Sequence, residues 1–169
     1  INVLLIRFIC LPELVLCCLI SGIISLPDFL AVHSKIVLEL LRGFLRHAAV
    51  DEFVMLAHGA PVIEPVRELA ANLRPGVPVR HAPLLQPNTI APVATVFFPS
   101  PNYAAESWRR APYGTQSWAI CGITHTTSTA AVMQGFFDLR MAPVQPWDAV
   151  ICTSQAVLAS VEYQNDLID

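Results

Sequence analysis

Charge is scarce in this sequence. Asp, Glu, Lys and Arg make up 14% of the 169 residues, whereas about a quarter is usual in globular domains. The formal net charge is −3, and neither basic nor acidic residues form a long run. Because proteins that bind nucleic acid neutralise phosphates with clustered Lys and Arg, this pattern disfavours a nucleic-acid partner. The 54% hydrophobic content suits a sheet buried on both faces, a membrane protein or a piece of a larger protein.

Motifs that identify several enzyme classes are missing as well. The chain has no G-x-G-x-x-G, no P-loop and no H-E-x-x-H, so the sequence predicts no metal ion and no bound cofactor. It has no D-x-D, which argues against a metal-dependent GT-A glycosyltransferase. Ser154 lacks the G-x-S-x-G turn of a hydrolase nucleophile.

The five cysteines include no C-x-x-C pair. An odd number without a disulfide-like framework favours a reducing compartment, so we expect a cytoplasmic location. Cys121 and Cys152 lie inside apolar strand candidates, where a free cysteine acts as a small hydrophobic residue.

Residues 1–27 are an apolar segment of uncertain role that allows three interpretations: a buried strand or two, a transmembrane helix, or a signal peptide. Pro12 and Glu13 split the segment, and neither half reaches the roughly 20 residues that a membrane span needs. A signal peptide begins with a basic region, and this segment has few basic residues at its start. No A-x-A cleavage site follows. We therefore expect part of residues 1–26 to pair into a sheet as a buried strand.

Further along the chain, apolar runs alternate with helical patterns. Strands are predicted at 53–57, 77–81, 93–98, 118–123 and 148–152, and helices at 28–47, 65–73, 129–140 and 155–164, with one or two helical turns near 104–110. This alternation predicts a parallel sheet with crossover helices. The predicted fold class is α/β: a Rossmann-like, doubly wound, mainly parallel sheet with helices on both faces, in one domain over 1–169.

The stretch 118–128, with the sequence W-A-I-C-G-I-T-H-T-T-S, is the most informative part of the chain. It reads as a buried strand that delivers polar side chains to its carboxyl end, where a helix begins. Open α/β sheets bind ligands at that edge. The simpler interpretation is that Thr126 or Ser128 caps the helix and that His125 is an incidental surface residue.

Two motifs together carry a resemblance to a known family. The G-I-T-H-T at 122–126, followed by W-D-A-V-I-C-T-S at 147–154, resembles the amino-terminal half of bacterial GT-B glycosyltransferases, with the closest likeness to glycosyltransferase family 4. The helix at 28–47 and the D-E-F at 51–53 resemble the family's first helix and second strand. The resemblance covers about residues 28–164.

The resemblance implies a retaining transfer of a sugar from a nucleotide-sugar donor to a sugar or lipid-linked acceptor. His125 would contact the donor sugar or the reacting centre. Further substrate-binding candidates are Gly122, Thr124, Thr126 and Ser128, with Arg109 and Arg110 facing an anionic acceptor or a lipid phosphate. A membrane surface is a further partner that this interpretation allows, with the protein peripheral to its inner face. An arginine pair in such a loop is also commonly just solvated.

The chain departs from the family pattern in three ways. The segment 21–27 holds one glycine where the family has a glycine-rich loop, no two glutamates lie eight positions apart, and the 169 residues include no second, donor-binding domain. The chain is therefore expected to be the acceptor-side half of a larger enzyme, inactive by itself. The alternative from another class is a non-catalytic α/β binding or interaction module, since fold alone does not determine function.

Overall fold

The computed structural model of the chain describes residues 2–4, 14–16, 34–90, 95–124 and 127–168. In chain order its strands and helices are β1 Asn2–Leu4, β2 Leu14–Leu16, α1 Ser34–His47, β3 Phe53–Ala57, α2 Glu64–Leu73, β4 Val79–Pro83, β5 Thr95–Phe98, α3 Ala104–Arg110, β6 Ala119–Thr124, α4 Ala130–Met141, β7 Ala149–Cys152 and α5 Gln155–Ile168. Short 3-10 turns cover Ala60–Ile63, Pro87–Ile90 and Ala111–Tyr113. The chain forms two compact units, residues 10–93 and residues 1–9 with 94–169.

The unit formed by residues 1–9 and 94–169 is built on parallel strands in the order β1-β7-β6-β5. Strand β6 pairs with β7 from Cys121 opposite Ala149 to Thr124 opposite Cys152. The prediction that 118–123 and 148–152 are neighbours in one sheet is therefore confirmed. β1 also pairs parallel with β7, which confirms that part of residues 1–26 is a strand.

The remaining predictions for the amino-terminal segment fall mostly outside the described residues. Of residues 5–33, the structure describes only β2, and the predicted helix start at Asp28 is not among them. In the described ranges, no helix combines the length and apolar character needed to cross a membrane.

The core of this unit lies between the strands and the helices that follow them. Its buried side chains include Val96, Phe97, Ile120, Ile123, Phe136, Leu139, Val150 and Val161. The sequence predicts Val132, Met133, Phe136 and Phe137 as the inward side of α4. That is wrong for two of them, because Met133 and Phe137 are 44% and 47% exposed and Gly135 and Leu139 are buried instead.

The unit formed by residues 10–93 contains a parallel pair, β3 and β4. All five residues of β3 are buried, as its continuous apolar run predicts. Helix α1 begins at Ser34 in the described residues, and Glu39 pairs with Arg42 one turn later, at 2.6 Å. Strand β4 covers 79–83 where 77–81 was predicted. The parallel strands and intervening helices confirm the predicted Rossmann-like α/β class.

Candidate functional site

The carboxyl ends of β5, β6 and β7 lie along one edge of the parallel sheet, because the three strands are adjacent and run the same way. The ends of β6 and β7 are also joined directly: the Thr153 hydroxyl donates to the backbone carbonyl of Thr124 at 3.1 Å. The last residues of the two strands, Thr124 and Cys152, therefore lie opposite each other. This is the edge at which open α/β sheets bind ligands.

Two helices begin at this edge, and each has a side-chain cap. The Thr129 hydroxyl accepts from the backbone N–H of Val132 at 3.3 Å and caps α4. The Ser154 hydroxyl accepts from the N–H of Val157 at 3.2 Å and caps α5. The cap of α4 is therefore Thr129 and not Ser128, one of the two caps proposed from the sequence; the other, Thr126, lies outside the described residues.

The turn after β5 supplies the third group of polar side chains. The Ser100 hydroxyl accepts from the backbone N–H of Asn102 at 3.1 Å. The Asn102 amide donates in turn to the carbonyl of Ala131, in the first turn of α4, at 3.0 Å. The edge is thus lined by short hydroxyl and amide side chains, which suit a polar, uncharged ligand such as a sugar.

The predicted substrate-binding residues of the 118–128 stretch have different environments. Gly122 is buried within β6, and Thr124 is fully buried at its end. Ser128 is exposed in the segment that leads into α4. His125 and Thr126 lie outside the described residues. The structure therefore brings Thr124 and Ser128 to the predicted edge and gives Gly122 a place in the sheet itself.

A glycine is required at position 122 by close packing. A β-carbon there would lie 2.7 Å from the Ser100 carbonyl oxygen and 2.7 Å from the Tyr103 ring. Both distances are well inside normal contact, and one of the two neighbours is backbone. Gly122 thus lets the turn after β5 close over β6.

Arg109 and Arg110 do not form an anion-binding pair. Arg109 is partly exposed and pairs with the carboxylate of Glu106 one turn earlier. Arg110 is fully buried and binds both carboxylate oxygens of Asp148 at 2.6 Å. Consecutive helical residues point about 100° apart, so one arginine faces the core and the other the surface. The prediction that Arg110 faces an anionic acceptor is therefore wrong, because its side chain is buried and paired with Asp148.

The ion pair of Arg110 lies at the amino-terminal edge of the sheet. Its guanidinium also donates to the carbonyl of Trp118, just before β6, at 2.8 Å. The carboxylate of Asp148, just before β7, accepts from the backbone N–H groups of Ile120 and Gln145, each at 2.8 Å. A six-residue strand spans about 17 Å at 3.3 Å per residue, so this network is remote from the carboxyl edge that follows Thr124.

Two ionisable side chains near the strands are kept neutral by burial. Burial, reinforced by the nearby Asp148 carboxylate, raises the pKa of the Tyr103 hydroxyl well above its usual range. Burial likewise raises the pKa of the Cys121 thiol to about 11, with Asp148 again adding to the effect. Both shifts favour the protonated form of the side chain.

Within the described ranges, no three His, Cys, Asp or Glu side chains come together in an arrangement that could hold a metal ion. Sequence reasoning missed two residues that organise this unit, Asp148 and Asn102. Asp148 stood within a recognised motif, but its arginine partner lies 38 residues earlier. Asn102 carried no signal, since its partner Ala131 bonds through the backbone.

The chain matches no protein-family model, no curated protein and no solved structure.

Proposed function

We propose that this chain is the acceptor-side half of a GT-B glycosyltransferase that moves a sugar from a nucleotide-sugar donor to a sugar or lipid-linked acceptor, with retention of configuration. The observation that supports it is the parallel pairing of β6 with β7. That pairing sets Gly122 to Thr124, from one motif of the family resemblance, opposite Val150 to Cys152, from the other.

In this proposal His125, which follows Thr124 in the chain, contacts the donor sugar or the reacting centre. A neutral imidazole donates or accepts a hydrogen bond there without adding charge. Such a preorganised polar group stabilises charge that develops in the transition state, and the loss of one such group commonly costs on the order of 10²-fold in turnover. Exposed Ser128 supplies a hydroxyl close by in the chain, and Thr126 is a further candidate.

Arg109 and Arg110 have no place in the proposed site, because the network that holds Arg110 lies at the opposite edge. The hydroxyl and amide groups after β5 and β7 favour an acceptor recognised through hydrogen bonds. A cytoplasmic enzyme peripheral to a membrane is compatible with a lipid-linked acceptor.

The donor half of a GT-B enzyme holds most of the nucleotide. The proposal is therefore tested by comparing the full-length protein with the 169-residue chain. We expect the full-length natural protein to release nucleoside diphosphate from one of a panel of sugar nucleotides when acceptor is present. The 169-residue chain alone should transfer no sugar and should bind the same donor weakly, with Kd roughly millimolar. Micromolar binding by the short chain in a calorimetric titration would contradict the half-enzyme proposal. Absence of any transfer by the full-length protein would favour the non-catalytic binding module.

A further inference from the structure

The turn after β5 fits into two gaps, each made by a glycine. Gly122 on β6 leaves room for the Ser100 carbonyl and the Tyr103 ring. Gly135 on α4 leaves room for the Asn102 side chain, whose amide oxygen would lie only 1.8 Å from a β-carbon at position 135. The turn therefore packs against both the strand and the helix that flank the proposed site.

The Asn102 amide contacts α4 at two places, the Ala131 carbonyl and Gly135. The amide nitrogen donates to the Ala131 carbonyl at 3.0 Å while the amide group covers Gly135, one turn further along. Gly135 is buried although Asn102 is exposed. No other heavy atom outside the helix's own backbone is closer to the missing β-carbon of Gly135 than those of the Asn102 amide.

Both flanks of the segment between β6 and α4 are thus held by side chains from neighbouring turns. At the strand end, Thr153 donates to the Thr124 carbonyl. At the helix end, Asn102 donates to the Ala131 carbonyl, two residues after the Thr129 cap. The end of β6 and the first turn of α4 thus each accept a hydrogen bond from a side chain of a neighbouring turn.

We propose that Asn102 is a positioning residue: it fixes the first turn of α4, at the carboxyl edge of the sheet where the proposed site lies. The effect on catalysis rests on the proposed function, whereas the effect on the helix turn does not. A 1 Å displacement of a reacting group commonly costs up to 10²-fold in rate, so a modest shift of this turn matters for a group that must meet a sugar.

The first experiment measures the helix turn itself. In Asn102→Ala, the backbone amides of Val132 and Met133 should exchange with deuterium about fivefold faster, the factor expected for losing a hydrogen bond worth about 1 kcal/mol. The control is Gln134→Ala, which removes an exposed hydrogen bond to Asp138 on the same helix and should leave those amides unchanged. Equal exchange in Asn102→Ala and the wild type would overturn the proposal.

The second experiment displaces the amide without changing Asn102. The β-carbon in Gly135→Ala overlaps the amide position and should turn the Asn102 side chain out to solvent. Because alanine also favours the helix over glycine, the decisive comparison is Asn102→Ala made in the Gly135→Ala variant. The double variant should show no further increase, since both changes remove one interaction. Additive effects would mean that the two residues act independently and would contradict the proposal.

The third experiment measures whether the contact of Asn102 with α4 affects catalysis by the full-length protein. We expect Asn102→Ala and Gly135→Ala each to lower kcat about tenfold with KM for the sugar nucleotide changed less than about twofold, the pattern of an interaction that matters in the transition state. Wild-type kcat together with faster amide exchange would show that the turn moves without positioning the site, and would overturn the proposal while the glycosyltransferase function stands. An inactive wild-type protein would instead reject the function, and the exchange data would still decide the structural role of Asn102.

Discussion

The guanidinium of Arg110 binds both carboxylate oxygens of Asp148 at 2.6 Å, with neither side chain exposed to solvent. The pair joins the end of α3 to the starts of β6 and β7, since Arg110 also bonds the Trp118 carbonyl and Asp148 bonds the Ile120 N–H. One ion pair therefore aligns the two strands whose opposite ends form the proposed site.

Neutralising the carboxylate should destabilise the fold strongly. Asp148→Asn leaves the Arg110 charge buried without its counter-charge, and breaking a buried pair in this way costs about 3–5 kcal/mol. We expect urea denaturation followed by circular dichroism to show a lower midpoint, equivalent to a loss of that size in the free energy of unfolding. The slope of the transition should be unchanged.

The matched control is Glu39→Gln, which breaks a partly exposed pair with Arg42 at the same 2.6 Å distance. Exposed pairs are worth about 0–1 kcal/mol. Equal losses in the two variants would show that burial does not set the strength of the Arg110–Asp148 pair.

Gly122→Ala should also be destabilising, by about 1–3 kcal/mol, as for other overpacked cores. The added carbon meets the Ser100 carbonyl and the Tyr103 ring at 2.7 Å, and neither can move without displacing the turn after β5. Thermal unfolding of the variant measures this cost directly.

Gly43→Ala serves as its control. Gly43 lies in the interior of α1, and a β-carbon there would have no heavy-atom neighbour within 4 Å. Alanine is favoured over glycine in a helix by about 1 kcal/mol, so this variant should gain stability. A loss of stability in Gly43→Ala, or none in Gly122→Ala, would contradict the packing explanation.

Much of the fold could be predicted from the sequence because its strands are continuous apolar runs. Strand β3 has the predicted bounds, and β6 and β7 are each within one residue of theirs. Strand β4 is displaced toward the carboxyl end because it begins only after Pro78, and proline cannot donate a backbone hydrogen bond to a sheet. The inward face of α4 was mispredicted for a different reason.

Helix α4, with the sequence A-A-V-M-Q-G-F-F-D-L-R-M, carries apolar residues around most of its circumference. Periodicity therefore selects no single inward face. The buried face includes Gly135, which Asn102 approaches closely, and these two residues are 33 positions apart. The same limit applies to Arg110, whose environment depends on Asp148, 38 residues later.

The Cys121 thiol should react slowly with alkylating reagents. Burial raises its pKa from 9.0 to about 11, so at pH 8 it should react on the order of 10²-fold more slowly than in the urea-unfolded chain, because the thiolate is the reactive form. Peptide mapping by mass spectrometry after timed alkylation with iodoacetamide follows this one residue.

The alkylation rate of Cys121 should also depend on pH in a way that reveals its raised pKa. The folded-state rate at Cys121 should keep rising toward pH 11, and a plateau near pH 9 would contradict the raised pKa. Because the unfolded thiol loses its proton first, this group also removes stability from the folded state as pH rises from 9 toward 11.

The central claim is that the segment after Thr124 acts in sugar transfer, and steady-state kinetics of His125→Ala in the full-length protein tests it most directly. His47→Ala, at the exposed end of α1 in the other unit, controls for the loss of an imidazole. We predict that His125→Ala lowers turnover with a sugar nucleotide by on the order of 10²-fold or more, with the unfolding midpoint nearly unchanged and His47→Ala fully active. Wild-type turnover in His125→Ala would contradict the claim and leave this histidine without a role in transfer.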